Sequence, residues 1–329
     1  MKKLICVLLA LIFVLSLGTM AFADDYTDMG TVTLTKEYVL TNAGTTSPAE
    51  TFTFSRLTCT SVADAADGVT TANAPEPTIS SIAYSAGEAG SATARKTATI
   101  TLPEYTSVGV YTYTFTETDG GTAGVTYRNE DIKLVVTVVE QNGKVRVAAV
   151  HTENANGAKS GSFNNTYSAG SLSVTKNVTG NMGDQQKEFT VKVTFTAPTG
   201  DTVREAITYV EGTETKTIAA GAGWTGSKEV DITLKHGETV TFTNIPYGVT
   251  YTVVENNYTS DGYDAASYSS TDANTTIDSA SETVTITNNK GGNVDTGIGL
   301  DSLPYIMILV LAAAGLIVFF SKKRMAREN

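Results

Sequence analysis

The sequence predicts an all-β protein with two tandem Ig-like β-sandwich domains. Three observations carry that expectation. Threonine, valine and tyrosine recur in short alternating runs such as Phe189-Thr190-Val191-Lys192-Val193-Thr194-Phe195, the two-residue period of a half-buried strand. No long helical period occurs between the two termini. One ordered set of chemical groups appears twice. VTLTK ending at Lys36, YTFTE ending at Glu117 and FNN holding Asn164 and Asn165 are matched by LSVTK ending at Lys176, YTVVE ending at Glu255 and ITNN holding Asn288 and Asn289.

Taken in order, residues 1–23 read as a secretory signal peptide. Lys2 and Lys3 precede an apolar run from Leu4 to Leu17, and Ala21-Phe22-Ala23 offers a small-residue cleavage site. Cys6 lies within that run. The first sandwich is expected over residues 24–167. Tyr111-Thr112-Tyr113-Thr114-Phe115 alternates as a strand, and Ile132–Val139, Asn142-Gly143 and Val145–Val150 read as a hairpin with a tight turn. Residues 168–170, Ser-Ala-Gly, read as a short flexible linker. The second sandwich is expected over residues 171–290, with a strand at Glu238–Thr243 leading into Ile245-Pro246. Turn signals such as Asp119-Gly120-Gly121 and Pro198-Thr199-Gly200 recur at sandwich-like spacing.

Residues 291–329 form a tripartite tail. Val294-Asp295-Thr296-Gly297 precedes an 18-residue uncharged run at 303–320, followed by Lys322, Lys323 and Arg324. The run is just long enough to span a bilayer, and the basic cluster fits a cytoplasmic flank. An ordinary single-pass anchor has the same outline. The Thr-Gly step just before the span resembles the LPxTG-type cell-wall sorting signals of Gram-positive bacteria. In those signals a sortase cysteine cuts between Thr and Gly and passes the acyl group to an amine. Asn293 and Val294 stand where that motif has Leu and Pro, and the tail lies closer to a VPTG variant with Asp295 in place of proline.

The whole chain carries a net charge of −11. Both ends are net basic, so the part between them is more acidic still. That excludes nucleic acid or an anionic lipid surface as a partner and favours a soluble, self-repelling surface. Of two cysteines only Cys59 lies outside the signal peptide, so no intramolecular disulfide is possible after cleavage. A thioester or reactive thiol is one reading of Cys59. A small buried strand residue in phase with Leu57 is the plainer one. The only histidines, His151 and His236, lie in no metal-ligand or nucleophile pattern, and Gly121 and its neighbours form no phosphate loop, so neither an enzyme acting on an external substrate nor a cofactor is indicated.

The repeated set points to chemistry within the protein. A buried lysine loses its proton more readily, and a buried glutamate holds its own more tightly. A neutral lysine beside a protonated glutamate can attack an asparagine carboxamide. The glutamic acid polarises the carbonyl and relays a proton to the leaving ammonia. Proximity within the fold replaces an enzyme. The spacings agree: 81 residues separate Lys36 from Glu117 and 79 separate Lys176 from Glu255. The Glu-to-Asn legs differ, 48 against 33, so the first domain carries an insertion there. Phe163 and Ile286 lie two residues before Asn165 and Asn288, on the same strand face. The expected crosslinks are therefore Lys36–Asn165 assisted by Glu117 and Lys176–Asn288 assisted by Glu255, with Asn164 and Asn289 as the alternatives.

PAETFTF (Pro48 to Phe54) after VTLTK, the YTxTE-like strand, FxNxY and the VxTG-like tail together resemble the FctA-like backbone (major) pilins of streptococcal type, with CnaB-like sandwich domains. The resemblance covers most of the mature chain and is clearest in the first domain. It implies intradomain Lys–Asn bonds assisted by Glu and subunits joined head to tail by a sortase. By that resemblance Thr296, followed by Gly297, is the donor. Lys159 in NGAKSGSF resembles the acceptor lysine by placement, among eleven other lysines of the mature chain. The implied partners are a sortase, identical subunits, minor pilins and peptidoglycan, on a cell-wall-anchored pilus. A monomeric wall-anchored or minor-pilin adhesin is the rival reading. The tryptophan-containing, lysine-ended pilin motif of other families is absent, the sole tryptophan being Trp224 in GAGWTGSK.

Overall fold

The computed structural model describes residues 28–270, 275–292 and 303–325. The signal-peptide expectation and the Val294–Gly297 motif lie outside them. The described chain is all-β apart from one 3-10 turn at Thr259–Asp261 and one C-terminal α-helix, Leu303–Met325. The all-β sandwich expectation is borne out.

Alternation in the sequence becomes alternation in burial. In Gly109–Phe115, Tyr111, Tyr113 and Phe115 point inward, while Val110, Thr112 and Thr114 are half-buried on the other face. Phe189–Thr196 buries Phe189, Val191, Val193 and Phe195 in the same way. A side-chain period of two gives each strand one dry face, and each dry face must meet another.

One core lies between two sheets. The first has the strand order Thr78–Ile79, Arg95–Thr101, Thr31–Leu40, Ser162–Tyr167, Val125–Thr126. The second runs Lys144–Glu153, Ile132–Gln141, Gly109–Phe115, Thr58–Ala63. Leu34, Tyr38, Phe52, Tyr113, Leu134 and Tyr167 are among the residues that fill it. The other core lies between a six-stranded sheet (Glu214–Ile218, Ile207–Glu211, Thr239–Pro246, Ala169–Thr179, Ser281–Asn289, Ser267–Ser270) and a three-stranded one (Ser227–Leu234, Phe189–Thr196, Thr250–Glu255). The hairpin of Ile132–Gln141 and Lys144–Glu153 turns on Asn142 and Gly143, both at positive φ (56° and 75°), as a two-residue turn between twisted strands requires. It extends the second sheet and accounts for the longer Glu-to-Asn leg. The outer strand of this hairpin bulges between Val147 and Ala149, which breaks the regularity of an exposed edge.

The opening and closing strands of each core are neighbours and run parallel. Thr31–Leu40 pairs with Ser162–Tyr167, and Ala169–Thr179 pairs with Ser281–Asn289. Parallel neighbours need a long crossover, and nearly the whole of each unit serves as that crossover. The chain thus enters each sandwich at one end and leaves at the other.

Residues 168–170 differ from the flexible linker expected of Ser-Ala-Gly. Ala169 and Gly170 open the strand Ala169–Thr179 and are buried, and the Ser168 N–H donates to the Gly124 carbonyl at 2.8 Å. At Gly170 the junction is crowded. A Cβ on Gly170 would lie 2.2 Å from the Ser279 carbonyl oxygen.

The helix Leu303–Met325 contains Tyr305–Lys323, long and apolar enough to cross a membrane and with none of it buried against the protein. At about 1.5 Å per residue it approaches the roughly 30 Å hydrocarbon core, with Tyr305 at one end and Lys322 and Lys323 at the other.

Gly170→Ala is expected to destabilise the second sandwich by about 1–3 kcal/mol, because backbone rather than a mobile side chain blocks the added carbon. Thermal unfolding of the variant checks this, and an unchanged midpoint contradicts it.

Candidate functional site

Strand alternation turns both lysines inward. In Thr31–Leu40 the buried positions are Leu34, Lys36 and Tyr38; in Ala169–Thr179 they include Leu172, Val174, Lys176 and Val178. Each lysine occupies an apolar slot, and both are 0% exposed. The parallel partner brings the asparagine to the same face. Lys36 is opposite Phe163 and Lys176 opposite Ile286, so Asn165 and Asn288 each lie two residues further along, on the lysine's side. Both asparagines are buried, whereas Asn164 and Asn289 are exposed. The register offset is the same in the two sandwiches.

The third group comes from the facing sheet. Glu117 lies just beyond Gly109–Phe115, where it bridges Phe54, and Glu255 ends the strand Thr250–Glu255. Both glutamate side chains are fully buried.

In the first sandwich the three groups form a closed set. Lys36 Nζ donates to Glu117 Oε1 at 2.7 Å and to the Asn165 carboxamide oxygen. Asn165 Nδ2 donates to Glu117 Oε1 and Oε2 at 2.9 and 3.0 Å. The Arg128 backbone N–H donates to Oε2 at 2.9 Å. The carboxyl therefore touches the amine on one side and the amide nitrogen on the other. In the second sandwich Lys176 Nζ donates to the Asn288 carboxamide oxygen and lies 3.1 Å from Glu255 Oε1. Among the described residues, neither Glu255 oxygen makes a hydrogen bond of good geometry.

Aromatic rings seal the amines. Lys36 Nζ is 4.0 Å from the centroid of Phe52 and 4.2 Å from that of Phe163, and Lys176 Nζ is 4.2 Å from that of Phe189. Removal from water pushes the Lys36 amine down to about 8, against the opposing pull of Glu117. Burial lowers the Lys176 amine as well, with Glu255 acting the other way. Two amines with weakened hold on their protons, each against a carboxamide and beside a carboxyl, have the composition needed for amide exchange.

The remaining expected residues lie elsewhere. Lys159 is exposed and bridges Glu153, away from both sets. Thr296 and Gly297 fall outside the described residues. Cys59 is buried, its Sγ is 3.5 Å from the Ser61 carbonyl, and burial pushes its thiol up, so it is no activated nucleophile. His151 pairs with Glu153 at 2.8 Å, and His236 Nδ1 accepts the Val178 N–H at 3.0 Å. Among the described residues no group of three or more His, Cys, Asp or Glu could hold a metal ion. Sequence reasoning did not identify Arg128 as a donor to Glu117, because a backbone N–H leaves no signature. It also passed over the sealing role of Phe52 and Phe189, each an inward residue of an alternating strand.

Residues 32–168 match the FctA family model, a Spy0128-like isopeptide containing domain. Residues 170–290 match a domain of unknown function, DUF7601. A pilin of Streptococcus pyogenes serotype M1 is 28% identical over 313 residues, 89% of this chain and 90% of that protein. The crystal structure of the major pilin from Streptococcus pyogenes aligns with a TM-score of 0.54 at 24% identity, covering 81% of this chain and 100% of that one. The T3.2 major pilin of the same species aligns with a TM-score of 0.53 at 21% identity, covering 80% and 99%. At these identities the structural likeness is one of fold. Together the matches bear out the resemblance to FctA-like pilins.

An Asn165→Ala chain, unable to condense, leaves Lys36 buried beside Glu117. Its folded amine sheds its proton near 8, whereas an unfolded lysine does so near 10.4. Between those values the unfolded state binds the extra proton, so stability rises with pH by up to about 1.4 kcal/mol per unit. Denaturant unfolding of Asn165→Ala against Lys36→Met/Asn165→Ala isolates this; parallel pH profiles contradict it.

Proposed function

We propose that this chain, like the FctA-type pilins it resembles, is a structural subunit of a covalent surface pilus, and that a self-formed Lys–Asn amide closes each of its two sandwiches. The observation that carries the reading is the buried Lys–Glu–Asn set spanning the parallel opening and closing strands, present twice at one register offset.

In the first sandwich the neutral Lys36 Nζ attacks Asn165 Cγ. The Glu117 carboxyl, in contact with both the amine and Nδ2, accepts a proton from the attacking nitrogen and delivers one to Nδ2. The Nζ–Cγ bond forms, the Cγ–Nδ2 bond breaks, and one ammonia leaves. Lys176, Glu255 and Asn288 follow the same course. No cofactor or oxidant enters the balance.

The placement suits a fibre. Tension entering along the opening strand and leaving along the closing strand passes through the amide, so the intervening sheet bears little of it. A non-covalent sandwich resists pulling only through its unfolding barrier. Closing a loop of 129 residues between Lys36 and Asn165 also restricts the unfolded chain, by about 4–5 kcal/mol in the chain-entropy model.

The ends complete the proposal. Export by the signal at 1–23 is followed by retention on the apolar helix, cleavage by a sortase between Thr296 and Gly297, and transfer of Thr296 to a lysine of the next subunit, with Lys159 as the candidate. Peptidoglycan anchors the finished polymer. A covalent ladder of this protein in wall extracts is the expected result; a single wall-bound band favours a monomeric or minor-pilin adhesin instead.

The intact mass of the recombinant mature chain is expected to fall short of the sequence mass by two ammonia molecules. Glu117→Ala and Glu255→Ala should each restore one. A wild-type mass equal to the unmodified sequence rules out the crosslinks.

A further inference from the structure

Glu117 is the one member of the first set that neither the opening nor the closing strand carries. Its backbone is held by the bridge to Phe54 and by the Thr118 N–H, which donates to the Thr53 carbonyl at 2.9 Å. Its Oε2 accepts the Arg128 N–H as well as Asn165 Nδ2. Between those two fixtures the chain leaves its own sandwich. Thr122 forms a parallel bridge with Thr202 of the second sandwich. The Thr202 N–H donates to the Gly121 carbonyl at 2.8 Å, and the Ala123 N–H donates to the Thr202 carbonyl at 3.0 Å. Arg204 Nε donates to Thr122 Oγ1 at 3.0 Å. Ala123 is 1% exposed and packs in the second core, not the first. Val203, next to Thr202, is tied to Trp224 in that same core.

The return path is equally constrained. Gly124 has φ +78°, and a Cβ there would lie 2.6 Å from the Ser168 carbonyl oxygen and 3.1 Å from Pro246 Cβ. Val125–Thr126 then pairs with Thr166 and Tyr167, the residues that directly follow Asn165. One docked loop is therefore continuous with the N–H that holds Glu117 and with the strand that pairs beside Asn165.

We infer that the second sandwich is a positioning element for the first crosslink: docking of Thr202 on the loop at 119–124 completes the placement of Glu117. The inference rests on the crosslinking reading above. The reaction is unchanged, with Nζ–Cγ formed, Cγ–Nδ2 broken and ammonia released through Glu117. What docking supplies is geometry, and a misplacement of about 1 Å costs on the order of a hundredfold in rate.

The second set has no such dependence. Glu255 ends a strand of its own sheet opposite Val191, its N–H donates to Tyr268 Oη at 2.9 Å, and the Asn256 N–H donates to the Thr190 carbonyl at 3.0 Å. All of these partners belong to the second sandwich. The coupling runs one way. The second bond closes on its own, and the first closes after the second sandwich has folded and docked.

The test uses the full mature chain. Thr202→Pro removes the N–H that donates to Gly121 and leaves the sequence of the first sandwich intact. Ala123→Asp places a carboxylate in the second core. Newly made chains are pulse-labelled, and closure of each bond is followed by the masses of proteolytic fragments. Both variants are expected to close the first bond at least about tenfold more slowly than wild type. The second bond should close at the wild-type rate, and Ala123→Ser should resemble wild type at both. A general folding defect slows both bonds, so the split between them is the signature. First-bond closure in Thr202→Pro at the wild-type rate overturns the inference, whether or not the second sandwich has folded. A wild-type chain that closes neither bond defeats the crosslinking reading instead.

Discussion

Two lysine side chains lie in the cores with no exposure to water, each walled by aromatic rings, and the surrounding architecture answers that constraint. An ammonium in such a place is expensive, and pairing it with one carboxylate in a dry interior seldom recovers the desolvation cost. Burial weakens the amine's hold on its proton, and a neutral amine beside a carboxamide has a permanent way to stop being charged. The amide carries no charge at all. A placement that is awkward as an ion pair becomes sound as a covalent bond.

From that constraint the topology follows. The lysine and its asparagine sit on the first and last strands of a unit, which must be adjacent for one long side chain to span them and which here run parallel. Adjacent parallel strands send the chain in at one end and out at the other. In both units the lysine and the asparagine therefore lie on the strands by which the chain enters and leaves. Beyond residue 23, Cys59 is the one cysteine of the sequence, so no disulfide within that part of the chain can tie these strands together.

Much of this was legible in the sequence. The two-residue period fixed which residues of Thr31–Leu40 and Ala169–Thr179 face inward, and hence that Lys36 and Lys176 do. The Asn142-Gly143 turn could be read from composition alone, because few residues tolerate positive φ there. The parallel pairing of first and last strands could not, since it is a contact over more than a hundred residues. The junction is ambiguous in sequence for a physical reason. Small residues mark either freedom or crowding, and at Gly170 the Ser279 carbonyl leaves no room for a side chain. Likewise Asp119-Gly120-Gly121 reads as a turn, which it is, but nothing local shows that the following Ala123 belongs to the other core.

A covalent bond between two particular side chains in each sandwich is tested most directly by sequencing the branched peptides of a protease digest. Fragmentation should find the peptide containing Lys36 joined through Nζ to Asn165 Cγ, and the peptide containing Lys176 joined to Asn288, each junction lacking one ammonia. Recovery of all four segments as separate linear peptides, or of branches at Asn164 and Asn289, contradicts it.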